Sequence, residues 1–197
     1  MIFPISKSCH KIIKQVYNSN GIKISRLLKE TSVSQKIGYK HIDELTKMDI
    51  FNSESIGSLR IIKPNLQSET GKLIYGLIEK EKELELIKAK PAVKQAISKL
   101  RQGTAKLLIE SAVIIGSFVK NHSDDRIEIL VIAETNDKAI LPFLQECFYG
   151  IENAVIARIL SKNGFLKLRQ SKKDLYNELF KNHVCIYNTQ GFLRLIA

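Results

Sequence analysis

Up to about residue 110 the apolar residues of this chain recur at helical spacing; beyond it they alternate or run together as in strands. In SCHKIIKQVYNSN, Ile12, Ile13, Val16 and Tyr17 share one face, with Ser8 placed to cap the N-terminus and Asn18 to Gly21 as the stop. IKISRLLKETSV puts Ile24, Leu27 and Leu28 on one side, and SQKIGYKHIDELTKMD predicts a third helix with Ile37, Ile42, Leu45 and Met48 as its buried stripe. Thr31 to Ser34 separate the last two helices. Ser34 is the expected N-cap of the third, which leaves Gln35, Lys36, Tyr39 and Lys40 exposed near its start. Two β-prone runs, IFNS and SLRIIK, then flank Glu54 to Gly57, where Gly57 can take the positive φ of a hairpin turn.

Residues 68 to 88 predict a long helix with Leu73, Ile74, Leu77, Ile78, Leu84 and Ile87 on one side and alternating Glu and Lys on the other. It reads as a connector that either forms a dimer seam or packs on the next helix, PAVKQAISKL, which Pro91 can begin. From Ser111 the pattern is that of strands: SAVII, a Gly-Ser turn, a polar loop, then RIEILVI with Ile127, Ile129 and Val131 alternating against Arg126, Glu128 and Leu130. A helix from about Ala139 to Tyr149, a strand at AVIARIL, a helix at KKDLYNELF, an apolar VCIY run and a closing FLRLI follow. The expected fold class is α+β, with a small mixed or antiparallel sheet in the C-terminal part.

Composition narrows this reading. The 197 residues suffice for one good core or two small ones, and 44% hydrophobic with 26% charged residues is ordinary for a globular protein. No apolar run reaches the roughly 18 residues of a membrane span, and MIFPISKSCHK lacks the features of a signal peptide, so a cytoplasmic protein without a membrane partner is expected. Cys9, Cys147 and Cys185 are too scattered for a zinc site and read as small buried hydrophobes, while His10, His41, His122 and His183 form no short cluster. The net charge is +11, of which +6 falls in residues 1 to 64, the footprint of a phosphate-backbone binder or of a solvated basic surface.

The order helix, helix, helix, hairpin, ending at Pro64, resembles the winged helix-turn-helix family, with Asp49-Ile50-Phe51 leading into the wing. The resemblance covers about a third of the chain and rests on pattern rather than on an invariant motif. It implies that the third helix enters the major groove of double-stranded DNA. Lys36 and Lys40 would then meet phosphates, and Gln35 and Tyr39 base edges or sugar, with Ser34 at the same nucleic-acid-binding surface. Arg60, on the wing, would meet a neighbouring phosphate or the minor groove. Protein contact is the competing use of such a domain.

A second resemblance lies further on. IIGS followed after a gap by RIEILVI is similar to the minimal nucleotidyltransferase pattern, in which Gly-Ser ends one strand and two carboxylates two residues apart on the next hold divalent metals. The likeness runs from about residue 90 to 197. The departures from it are specific. The two carboxylate positions fall on Arg126 and Glu128; Asp124 lies about 13 Å from Glu128 along an extended strand; AVIARIL, where a third acid belongs, has none. No catalytic residue is therefore expected, and no metal or cofactor. Gly116 and Ser117 would still cradle a phosphate and Arg126 bind an anion, unless Gly116 is only a turn and Arg126 pairs with Glu128, Asp124 or Asp125.

The expected organisation is a winged helix at 1–64, a helical connector at 65–90 and a nucleotidyltransferase-like domain at 91–197. The function these imply is that of a DNA-binding transcriptional regulator, not an enzyme, similar to archaeal pairings of the two modules, with a homodimer and a nucleotide held without turnover left open as partners. One alternative is a Mg²⁺-dependent transferase acting on protein or RNA through Ser117, Asp124, Asp125 and Glu128. The other is a structural subunit of an RNA-protein assembly.

Overall fold

The computed structural model describes residues 5–19, 21–121, 126–134, 138–151, 154–171, 176 and 181–197. It is α+β with two small sheets. The chain divides into two compact units, one of residues 1–78 with the last two residues and one of residues 79–195. The boundary falls inside the expected connector, whose first half belongs to one unit and second half to the other.

The first unit opens with α1 (Lys7–Ser19), which buries Cys9, Ile12, Ile13, Val16 and Tyr17 as the periodicity predicts. Its cap is Ser6 rather than Ser8: the Cys9 amide donates to Ser6 Oγ at 3.2 Å, and Ser8 Oγ bonds His41 Nε2 at 3.0 Å instead. A two-residue strand, β1 (Ile22–Lys23), too short to show as alternation, leads into α2 (Ile24–Thr31). Ser32 adopts a left-handed conformation at φ 54°, and α3 (Gln35–Lys47) follows.

The buried residues of α3 are Gly38, Ile42 and Leu45. Two of the four expected stripe positions are corrected: Ile37 is 48% and Met48 56% exposed. The reason is Gly38, where any Cβ would collide with Leu28 Cδ2. The closest approach of α2 to α3 thus runs along Gly38, turning Ile37 outward.

Strands β2 (Phe51–Ile56) and β3 (Leu59–Pro64) pair antiparallel from Phe51↔Pro64 to Ile56↔Leu59, and β3 also takes β1, giving the order β1-β3-β2. The turn is therefore Gly57-Ser58, narrower than Glu54 to Gly57. Gly57 has φ 60° while Ser58 is not left-handed, the pattern of a type II′ hairpin.

The long helix α4 (Glu69–Ala89) forms, with Ile78 buried and Ile87 half-buried against the core as expected, but the expected stripe does not hold throughout. Leu73 and Leu84 stand exposed, while Glu79, Lys82 and Glu83 are buried with Leu86. Within the first unit, Tyr75 is fully buried, stacks on Tyr17 with centroids 4.9 Å apart, and donates its hydroxyl to the Ile50 carbonyl at 2.7 Å.

In the second unit α5 (Ala92–Gly103) buries Val93, Ala96, Ile97 and Leu100. The sheet is mixed, with β4 (Ile109–Ile115) and β5 (Arg126–Ala133) antiparallel, β6 (Ala154–Leu160) parallel to β5, and β7 (His183–Tyr187) antiparallel to β4, in the order β6-β5-β4-β7. One sheet face, with Ala112, Ile114, Ile127, Ile129, Val131, Val184 and Ile186, packs on α5 and on α7 (Ile140–Cys147). On the other face Val113, Ile115, Leu130 and His183 meet Phe165 of α8 (Lys162–Ser171) and Phe192 of α9 (Thr189–Ile196). α8 was not expected from the pattern, and most of the expected KKDLYNELF helix lies outside the described residues. Cys9, Cys147 and Cys185 are all free thiols in buried positions, as expected. No helix among the described residues is long and apolar enough to cross a membrane.

Because the Asn65 amide also donates to the Ile50 carbonyl at 2.9 Å, Tyr75→Phe removes one bond without orphaning the acceptor. The expected loss is about 1 kcal/mol, read as a lower urea midpoint with unchanged m-value.

Candidate functional site

Two groups of residues carry candidate chemistry, one in each unit. In the first, Ser34 holds the N-cap position of α3 with extended backbone (φ −61°, ψ 148°), but its hydroxyl makes no capping bond. The first turn of α3 contains no acid, so the partial positive charge of the helix start is not offset there. Gln35, Lys36, Ile37, Tyr39 and Lys40 are all exposed on this opening stretch. Lys40 lies 3.9 Å from Glu44, with both side chains more than half exposed, a pair worth about 0–1 kcal/mol that leaves the ammonium available.

Arg60 is differently placed from the rest. Both terminal nitrogens of its guanidinium donate to Asp43 Oδ1 on α3 at 3.1 Å, and its Nε donates to Ser53 Oγ on β2 at 2.7 Å. It therefore fixes the hairpin to α3, with its charge partly offset by Asp43. Lys63 and Glu54 pair across the other hairpin face at 2.6 Å.

In the second unit, Gly116 takes φ 85° at the end of β4, and Ser117 starts a short helix, α6 (Ser117–Asn121), where a polar loop was expected. The Gly116 amide donates to the Asn182 carbonyl at 3.0 Å, so it is not free to cradle a phosphate. Arg126 opens β5 and is exposed. Glu128 pairs neither with it nor across to a metal ligand; it accepts from Arg158 Nε at 3.2 Å and NH2 at 3.1 Å, on the strand where a third acid would stand. Asp124 and Asp125 lie outside the described residues. Among the described residues this end of β5 does not fit a divalent cation, because its single carboxylate is engaged by one arginine and flanked by another.

The sequence reading missed a cluster on the inner face of α4. Glu79, 0% exposed, accepts from His183 Nε2 at 2.9 Å and Lys82 Nζ at 2.8 Å through Oε1, and from the Cys185 amide at 2.8 Å through Oε2. Beside it Glu83 accepts from Arg101 at 2.7 Å and Lys80 at 3.0 Å, and Arg101 Nε also donates to the Ile186 carbonyl at 3.0 Å. That carbonyl belongs to a bulge: Ala112 faces Tyr187 and Val113 faces Cys185, leaving Ile186 opposite no residue. Burial alone would raise the Glu79 carboxyl, but His183 and Lys82 outweigh it and hold it well below the usual carboxylate range. Burial, and then the nearby Glu79, push the Cys185 thiol up to about 12, so it is an inert thiol rather than a nucleophile. Helical spacing carried a weak signal for the cluster, since Glu79, Lys82, Glu83 and Leu86 share one face.

Comparison with protein-family models, with curated proteins and with solved structures finds no match for this chain.

Glu79→Gln removes the buried carboxylate that Lys82 and His183 share, and the expected cost at pH 7 is about 3–5 kcal/mol. The depressed carboxyl contributes stability that is complete above its ordinary value of 4.5 and is lost as pH falls below it toward the folded value. Urea midpoints at pH 7 and pH 3 should therefore differ more for the parent chain than for Glu79→Gln; equal differences would remove Glu79 from the acid response.

Proposed function

We propose that the chain binds double-stranded DNA as a winged helix-turn-helix protein, acting as a transcriptional regulator. In this reading the second unit is a nucleotidyltransferase-like frame used for interaction or ligand sensing. The observation that carries it is the opening face of α3, where two lysines, a glutamine, a tyrosine and an isoleucine stand together in solvent above a helix start without acids. That mixture suits a groove: cations for phosphate, amide and hydroxyl for base edges, an aliphatic side chain for a thymine methyl. The order helix, strand, helix, helix, hairpin with β3 in the middle of the sheet supports the winged reading. The basic surplus of residues 1 to 64 supports it from the electrostatic side.

Within this proposal Arg60 is a positioning residue that sets the angle of the hairpin to α3, rather than the free phosphate contact suggested by its place on the wing. The competing transferase reading has the Glu128–Arg158 pair against it, since both donors fall on Oε2 and set a guanidinium charge beside the carboxylate that would have to ligate the metal.

The test is binding to random duplex across a salt series, with a parallel reaction of labelled nucleoside triphosphates and Mg²⁺. The double variant Lys36→Ala with Lys40→Ala should bind more weakly, and the slope of log affinity against log salt should shrink by about 2. An unchanged slope would move the contact away from α3. Glu128→Ala should leave duplex binding unaltered; label transfer by the parent chain that disappears in Glu128→Ala would replace the regulator by an enzyme.

A further inference from the structure

The sheet of the second unit has two edges, treated in opposite ways. At β7 two backbone groups are taken by side chains: Glu79 accepts the Cys185 amide and Arg101 donates to the Ile186 carbonyl. At β6 no described residue bonds the outer edge. The strand runs seven residues, AVIARIL, with an unbroken register on β5 from Arg126↔Ala154 to Ile132↔Leu160. It holds no proline, no bulge and one charge, Arg158, which Glu128 offsets at 3.1 Å. Val155, Ala157, Ile159 and Leu160 are half-buried and Ile156 is 36% exposed. Among the described residues, the devices that usually keep an edge strand from pairing are therefore lacking, or neutralised in the case of the charge.

We infer that β6 pairs antiparallel with β6 of a second copy of this chain, joining two four-stranded sheets into one of eight strands. The occupant follows from the symmetry of the strand. With the two-fold axis at Ala157, the smallest side chain of the central run meets itself, and Val155 faces Ile159 of the second copy on the side that carries the apolar core. On the other side Ile156 faces Arg158 of the second copy. Each arginine brings its own Glu128, so the two cations that approach across the axis are already paired. Side chains opposite each other in such a pair are about 4.5–5.5 Å apart at Cβ, close enough for a charge at position 156 to decide the outcome.

The pairing is independent of the proposed DNA contact, and its test reads oligomeric state alone. Sedimentation of the full chain should give a mass that rises with concentration from 22.4 kDa toward twice that value. Ile156→Lys sets an ammonium opposite Arg158 of the second copy and should hold the chain at the monomer mass. Ile156→Glu sets a carboxylate there and should keep or tighten the dimer. Circular dichroism of each variant confirms the fold. Hydrogen exchange adds a readout that needs no substitution: amides of residues 155–160 should gain protection as concentration rises, while those of β4 do not change. A monomer at every concentration overturns the inference, as does a dimer that survives in Ile156→Lys or one that forms without added protection in β6.

Discussion

A carboxylate buried to 0% exposure is tolerable only when everything around it answers its charge, and Glu79 is answered on every side. One oxygen takes a lysine and a histidine, the other a backbone amide of β7. That last bond gives the cluster its structural meaning. The end of a sheet presents unpaired amides and carbonyls, and here the charged face of α4 supplies side chains in place of another strand. Arg101 does the same for the carbonyl freed by the bulge at Ile186 and is itself held by Glu83. The two halves of the cluster thus close one edge of the sheet with hydrogen bonds rather than with apolar cover.

In the first unit the governing constraint is steric. Gly38 lets α3 lie closer to Leu28 than any side chain would permit, and this fixes which residues of α3 turn inward. Ile42 and Leu45 go to the core, and the opening residues with Ile37 and Tyr39 go to solvent. Arg60 then ties the hairpin to the middle of α3 through Asp43, so the positions of the turn and of the helix opening are linked by one guanidinium. In the proposed reading this rigidity serves recognition, because a groove contact gains most from groups held in place before binding.

Much of this was legible in the residues. The helices α1 to α3 and the hairpin follow from spacing, and β4 and β5 from apolar runs that the sheet buries on both faces. α4 defeated the same reasoning. Its leucines and isoleucines predict one buried side, and Ile78 is buried, yet Leu73 and Leu84 are exposed while Glu79, Lys82 and Glu83 are inside. A spacing rule assumes that acids and lysines seek water, and it cannot see His183 and the Cys185 amide arriving from a hundred residues away to bind them. Ile37 failed for a related reason: the close approach at Gly38 that leaves it outward is to Leu28, on another helix. β1 is two residues long, below the length at which alternation exists. At the candidate sites, the exposure of Gln35, Lys36, Tyr39 and Lys40 was readable from the start of the helix. The engagement of Arg60 and Glu128 was not, because both partners come from neighbouring elements.

The end of β5 shows what such partners do to an inferred chemistry. A strand face with two acids draws divalent cations; this one presents Arg126, Glu128 and, from the adjacent strand, Arg158, and so carries a net positive charge among its described residues. Taken over those described residues, a face of that sign favours an anion over a divalent cation. The backbone, however, does not complete an anion cradle, since the left-handed turn at Gly116 spends its amide on Asn182. Among the described residues, binding there would draw chiefly on the guanidinium charge of Arg126 and Arg158, the latter already offset by Glu128. The strand beside it shows an outer edge that no described residue bonds, and the pairing inferred above would use that edge while leaving the Glu128–Arg158 bonds in place.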